Sequence, residues 1–116
     1  MKEFETVVID TYADISPRWE GKKDLSGRRY TFEVSYNTRQ EAWVMKMSDV
    51  NGNVLIAGIN LVYGVNFLEK YRASSPGLPP GEIYLFDYEN NIQTAVVTRN
   101  NLGSRFKLKY SVAKEV

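Results

Sequence analysis

The feature that most restricts what this chain can fold into is an alternation of side-chain character at a period of two, recurring along most of its length. From Arg28 to Tyr36, the residues Tyr30, Phe32, Val34 and Tyr36 fall on one side and Arg29, Thr31, Glu33 and Ser35 on the other. Successive side chains of an extended strand point to opposite faces, so this is the pattern of a strand with one face buried. After the polar break Asn37-Thr38-Arg39-Gln40 the alternation resumes, with Trp43, Met45 and Met47 set against Val44, Lys46 and Ser48. Two such runs joined by a short polar break predict a hairpin. Asp49-Val50-Asn51-Gly52 supplies the next turn.

The longest run follows. Leu55, Ala57, Ile59, Leu61, Tyr63, Val65 and Phe67 are all apolar and all at odd positions, which predicts two strands, or one strongly bent strand, breaking near Gly64. Ser74 to Gly81 holds three prolines and two glycines in eight residues and is read as a loop. Glu82 to Tyr88 and Ile92 to Thr98 predict a second hairpin around Glu89-Asn90-Asn91. A last strand alternates Phe106, Leu108, Tyr110 and Val112 with Arg105, Lys107, Lys109 and Ser111. Phe4 to Ile9 reads as a strand, and Asp10 to Gly27 gives no clean period. Helical spacing nowhere persists beyond about two turns, the best stretch being Asn66 to Arg72. The expected fold is all-β, an antiparallel sandwich or partly closed barrel, with residues 1–116 forming a single β domain.

Composition matters most for what it removes. The chain has no histidine and no cysteine, so the commonest general base, the commonest metal ligand, the thiolate nucleophile and the disulfide are all missing. An enzyme would have to work with carboxylates, lysines or hydroxyls. Asp10, Asp14, Asp49 and Asp87 are the carboxylates that could be asked to do so, and each reads more simply as a solvated or turn-forming group. Asp49-Val50-Asn51-Gly52 resembles the start of a calcium loop, but the later ligands do not follow at the required spacing. No catalytic, cofactor-binding or metal residue is assigned and no cofactor is expected.

Fifteen basic residues against fourteen acidic give a net charge of +1, which offers no broad field for nucleic acid or anionic lipid. Neither nucleic acid nor membrane is expected as a partner. No apolar run reaches membrane-spanning length, and Glu3 and Glu5 occupy the stretch where a signal peptide would need apolar residues, so a soluble protein is expected.

The candidate binding residues are therefore surface ones. Tyr84, Phe86 and Tyr88 alternate with Ile83, Leu85 and Asp87, making this strand apolar on both faces. Its rings either belong to a strand covered on both sides or form a contact surface for another chain. Arg105, Lys107 and Lys109 set three positive charges on one strand face at intervals of about 7 Å. They are either a solvated, edge-protecting row or a docking stripe. Trp43 reads as core, and Trp19, beside Pro17 in an unpatterned segment, as an interface candidate.

Several of these elements, in their order along the chain, resemble the small baseplate plug protein family of contractile-tailed phages, first defined in a cyanophage. The resemblance rests on Leu25-Ser26-Gly27, on Tyr36-Asn37-Thr38-Arg39 followed by Trp43, and on Asp49 with Gly52. It continues through Gly58, Leu61, Gly64-Val65-Asn66-Phe67-Leu68, Gly81 with Asp87, Leu102-Gly103, Leu108 and Tyr110. Tyr12 to Lys23 and the Pro79-Pro80 loop lie outside it. The resemblance implies a non-enzymatic structural subunit of the virion tail baseplate, assembled in the host cytoplasm. Its partners would be other baseplate or tail proteins near the central hub and tube end, or copies of itself. The alternative is a non-catalytic β-barrel module in which Trp19, Trp43 or the tyrosines stack on carbohydrate or single-stranded nucleic acid.

Overall fold

A computed structural model describes residues 2–9, 18–75 and 77–115. Its strands are β1 (Lys2–Ile9), β2 (Arg18–Leu25), β3 (Arg28–Asn37), β4 (Ala42–Ser48), β5 (Val54–Asn60), β6 (Glu82–Asp87) and β7 (Phe106–Glu115). They form two antiparallel sheets, one in the order β2-β3-β4-β5 and one in the order β1-β7-β6. The sheets pack over one shared core and do not close into a barrel, so of the two expected architectures the sandwich is the one adopted.

The first hairpin forms as its alternation predicts. Phe32 pairs with Met47, Val34 with Met45 and Tyr36 with Trp43, and all but the half-buried Tyr36 are buried. Asn37 starts the turn, its Oδ1 accepting from the Arg39 and Gln40 N–H groups at 3.0 and 3.1 Å. Asp49 does the same for the β4–β5 connection, accepting from the N–H groups of Asn51 and Asn53 at 2.9 Å. The smaller sheet contributes Ile9, Ile83, Leu85, Phe106, Leu108 and Tyr110 to the same core. Its central strand is β7, and β1 lies along it from Lys2 opposite Glu115 to Ile9 opposite Leu108.

Three expectations need correction. The odd-position run from Leu55 to Phe67 is neither two strands nor one bent strand breaking near Gly64: among the described residues it holds the one strand β5. β5 ends at Asn60, and its pairing with β4 shifts register twice: Ile59 lies opposite Met45, Ile56 opposite Met47 and Val54 opposite Ser48. Each shift inserts an extra residue and reverses the parity. Ile56 therefore points inward with Ile59, while Ala57 and Val65 are exposed. Gly58 sits in the first bulge at φ +71°, a conformation that side chains rarely adopt.

The second hairpin does not form either. β6 pairs with β7, from Glu82 opposite Ser111 to Asp87 opposite Phe106, and Ile92–Thr94 is a single 3₁₀ turn. The extended stretch after it has its backbone groups taken by side chains instead of a ladder. Asn101 donates to the Val96 carbonyl at 2.9 Å and accepts from Thr98 N–H at 2.7 Å, and Trp43 Nε1–H donates to the Thr98 carbonyl at 3.1 Å.

Third, the segment around Trp19 is a strand. In β2 the exposed Arg18, Glu20, Lys22 and Asp24 alternate with Trp19, Gly21, Lys23 and Leu25. The period was present but hidden, because a glycine and a lysine occupy two of the four inward positions. Asp10 and Asp14 lie outside the described residues.

Candidate functional site

The parity of β6 decides the question its sequence left open. Ile83, Leu85 and Asp87 are buried, whereas Phe86 is 39% and Tyr88 50% exposed and Tyr84 is half-buried on the same outward side. At about 200 Å² for a whole aromatic side chain, the two exposed rings leave roughly 180 Å² in water. That is within what a soluble monomer tolerates. Area alone does not require a partner here; the placement of charge over it is more telling.

Across the ladder, Lys109 stands opposite Tyr84 and Lys107 opposite Phe86. The long lysine stems lean diagonally, so that Lys109 Nζ lies 3.7 Å from the Phe86 ring centre and 5.0 Å from that of Tyr88, with Lys107 Nζ 5.6 Å from Tyr88. A cation over a ring face is attracted by the ring quadrupole. The rings themselves meet edge to face, with centres 4.9 Å apart and planes at 69°. Beyond them, a row of hydroxyls crosses all three strands: Tyr84 to Ser111 at 2.8 Å and Ser111 to Thr6 at 3.1 Å. The outer face of this sheet thus grades from hydroxyls through two ammonium groups to an aromatic pair.

Arg105 is not part of that stripe. Its Nε and Nη2 clasp Asp87 at 2.8 and 3.0 Å, and Nη2 also donates to the Asn91 carbonyl and to Thr94 Oγ1. Its side chain is only 12% exposed. The guanidinium holds the Asp87 carboxyl well below the usual carboxylate range, helped by the N–H groups of Glu89 and Asn91. This ion pair fixes the start of the long β6–β7 connection, and the exposed cationic row shrinks to Lys107 and Lys109. Arg29 lies on the other sheet, paired with Asp24 at 2.8 Å.

The tryptophans do not offer stacking faces. Trp43 is 1% and Trp19 8% exposed, both within the core, so the stacking that the binding-module alternative asks of the tryptophans has no exposed ring to use. Asp49 is committed to its turn and Asp87 to Arg105. Among the described residues no group of three or more acidic side chains could hold a metal ion.

A set of contacts that sequence reading missed holds β6 and β7 in place. The buried Tyr110 hydroxyl accepts from Gly81 N–H at 2.9 Å and meets Ser26 Oγ, in the β2–β3 turn of the opposite sheet, at 2.8 Å. Gly81 lies so close to β7 that a Cβ there would be driven into the Ser111 carbonyl and within 2.8 Å of the Tyr110 ring. Arg72 donates to the carbonyls of Pro79 and Gly81 at 2.9 and 2.5 Å, and Asn66 Oδ1 accepts from Ile83 N–H at 3.3 Å. No local pattern announces these contacts, since their members are far apart in sequence. Ser26, Asn66, Gly81 and Tyr110 nevertheless all stand among the residues that carry the family resemblance.

A family model described as "Cyanophage baseplate Pam3 plug gp18" matches residues 8–113. No curated protein matches the chain.

Proposed function

The chain belongs to the cyanophage baseplate plug family, whose members are structural components of the phage tail baseplate, and on that premise we propose that it acts by protein–protein assembly near the central hub and the end of the tail tube. In this reading residues 1–116 form one β domain, made in the host cytoplasm and incorporated into the tail without catalysing a reaction. The contact surface is the outer face of the three-stranded sheet, with Tyr84, Phe86, Tyr88, Lys107 and Lys109 as its working residues. The observation that carries the assignment of this face is the outward placement of Phe86 and Tyr88 on β6 while Ile83 and Leu85 fill the core. Exposed aromatics of this kind supply much of the energy of a protein interface once covered.

Electron cryomicroscopy of tails assembled with and without the chain tests the location. Density that fits the sandwich should appear at the tube end and hub only when the chain is present. Density confined to the sheath, or purified tails that lack the chain, would refute the reading.

A further inference from the structure

We propose that the partner which covers the outer face of the β1-β7-β6 sheet is an acidic protein segment, one that presents two carboxylates to Lys107 and Lys109 with apolar side chains against Phe86 and Tyr88. The inference rests on the reading of this face as the contact surface. It is carried by the placement of charge: two neighbouring lysines share this face with the exposed rings, and neither makes an ion pair among the described residues. The two ammonium groups are instead held over aromatic rings, with Lys109 Nζ 3.7 Å from the Phe86 ring centre.

A partner that buries the rings must therefore bury or crowd these ammonium groups as well. Covering them with apolar surface would strip their hydration and give nothing in return, so the complementary surface has to bring anions. The two lysines are alternate residues on one strand, which sets their stems about 7 Å apart. Acidic residues at alternate positions of an extended segment, or one turn apart on a helix, meet that spacing. A nucleic-acid backbone fits less well. Its binding depends on neutralising many phosphates, while this face offers two free lysines and also carries Glu82, which is exposed on the same side of β6.

Two measurements decide the matter. In purified tails, a carbodiimide joins a lysine amine directly to a carboxylate in contact with it. Peptide mass spectrometry should find Lys107 or Lys109 linked to an Asp or Glu of another chain. If the chain is present in tails and other lysines cross-link while these two do not, the proposal is overturned. Absence of the chain from tails would refute the baseplate reading instead.

The second measurement does not depend on tails. The purified full-length chain is titrated with a peptide of alternating Glu and Leu, and separately with oligothymidylate, while the amide and ring signals of Phe86, Tyr88, Lys107 and Lys109 are followed by NMR. The acidic peptide should shift these signals, and the double variant K107E/K109E should weaken its binding at least about tenfold. Shifts elsewhere in the molecule, no response to the peptide, or tighter binding of the oligonucleotide would each overturn the proposal.

Discussion

Replacing Tyr110 by Phe isolates one buried hydroxyl and leaves the packing intact. Tyr110 is 1% exposed, and the ring that remains in Tyr110→Phe keeps its volume, so no cavity opens. What is lost are two contacts of unequal value. Ser26 is exposed and its hydroxyl can turn to water, but Gly81 is buried and its N–H donates to the Tyr110 hydroxyl alone among the described residues. Stranding a buried donor costs about 1–3 kcal/mol. For 116 residues, an unfolding entropy of about 2.1 cal/mol/K per residue converts each kcal/mol into about 4 °C. Thermal unfolding followed by circular dichroism should therefore show a fall of about 4–12 °C, while Ser26→Ala should move the midpoint by no more than about 2 °C. A fall of less than about 2 °C for Tyr110→Phe would mean that the Gly81 N–H finds water, and the reasoning from burial would fail.

Gly81→Ala should be far more damaging than its single methyl suggests, by about 3 kcal/mol or more, because the Ser111 carbonyl that it meets is part of the β7 backbone and cannot turn aside. Soluble, wild-type-like protein from this variant would contradict the close approach. Phe86→Ser with Tyr88→Ser should leave unfolding cooperative and reduce incorporation into tails, read by quantitative mass spectrometry of particles; loss of folding would instead place the rings in the core. Asp87 has its folded-state pKa lowered, so the stability it contributes is full above its unfolded pKa of about 4 and is lost as the pH falls below that. Acid titration of Asp87→Asn should accordingly show a shallower loss of stability below pH 4 than the wild type, from a lower starting value, and an unchanged slope would refute the role of the Asp87–Arg105 pair.

How far the fold was legible followed from what sits at inward positions. β3 and β4 could be read because every inward position up to the hairpin end carries a large apolar side chain. β2 could not, because Gly21 and Lys23 interrupt the row between Trp19 and Leu25. The stretch after Leu55 misled for the opposite reason: its alternation in sequence is uninterrupted, but bulges reverse the parity in space, and nothing local marks an extra residue except Gly58. At the surface, the outward direction of Phe86 and Tyr88 was available as one of two readings. The position of Lys109 over Phe86 was not, since it depends on which strand pairs with β6. Alternation along its own strand puts Arg105 in the lysine row, but Asp87, across the ladder, holds its guanidinium away from it.

The place of β7 at the centre of its sheet also bears on the order in which the molecule can be made. Among the described residues β1 pairs only with β7, and β6 pairs only with β7. At about 5–20 residues per second, a ribosome that has released β1 needs on the order of 5–20 s more before β7 begins to emerge. The four strands of the other sheet are consecutive in sequence and can pair as they appear. For those seconds β1 has no sheet neighbour, β6 joins it in waiting only near the end, and the lysines that lie over Phe86 and Tyr88 have not yet been added. A nascent or truncated chain that ends before Phe106 can therefore bury part of the core but cannot form the outer face on which Lys107 and Lys109 meet Phe86 and Tyr88. If this face is the contact surface, a chain that stops short of β7 should fail to join a tail, since it lacks both lysines and the strand that holds β1 and β6 together.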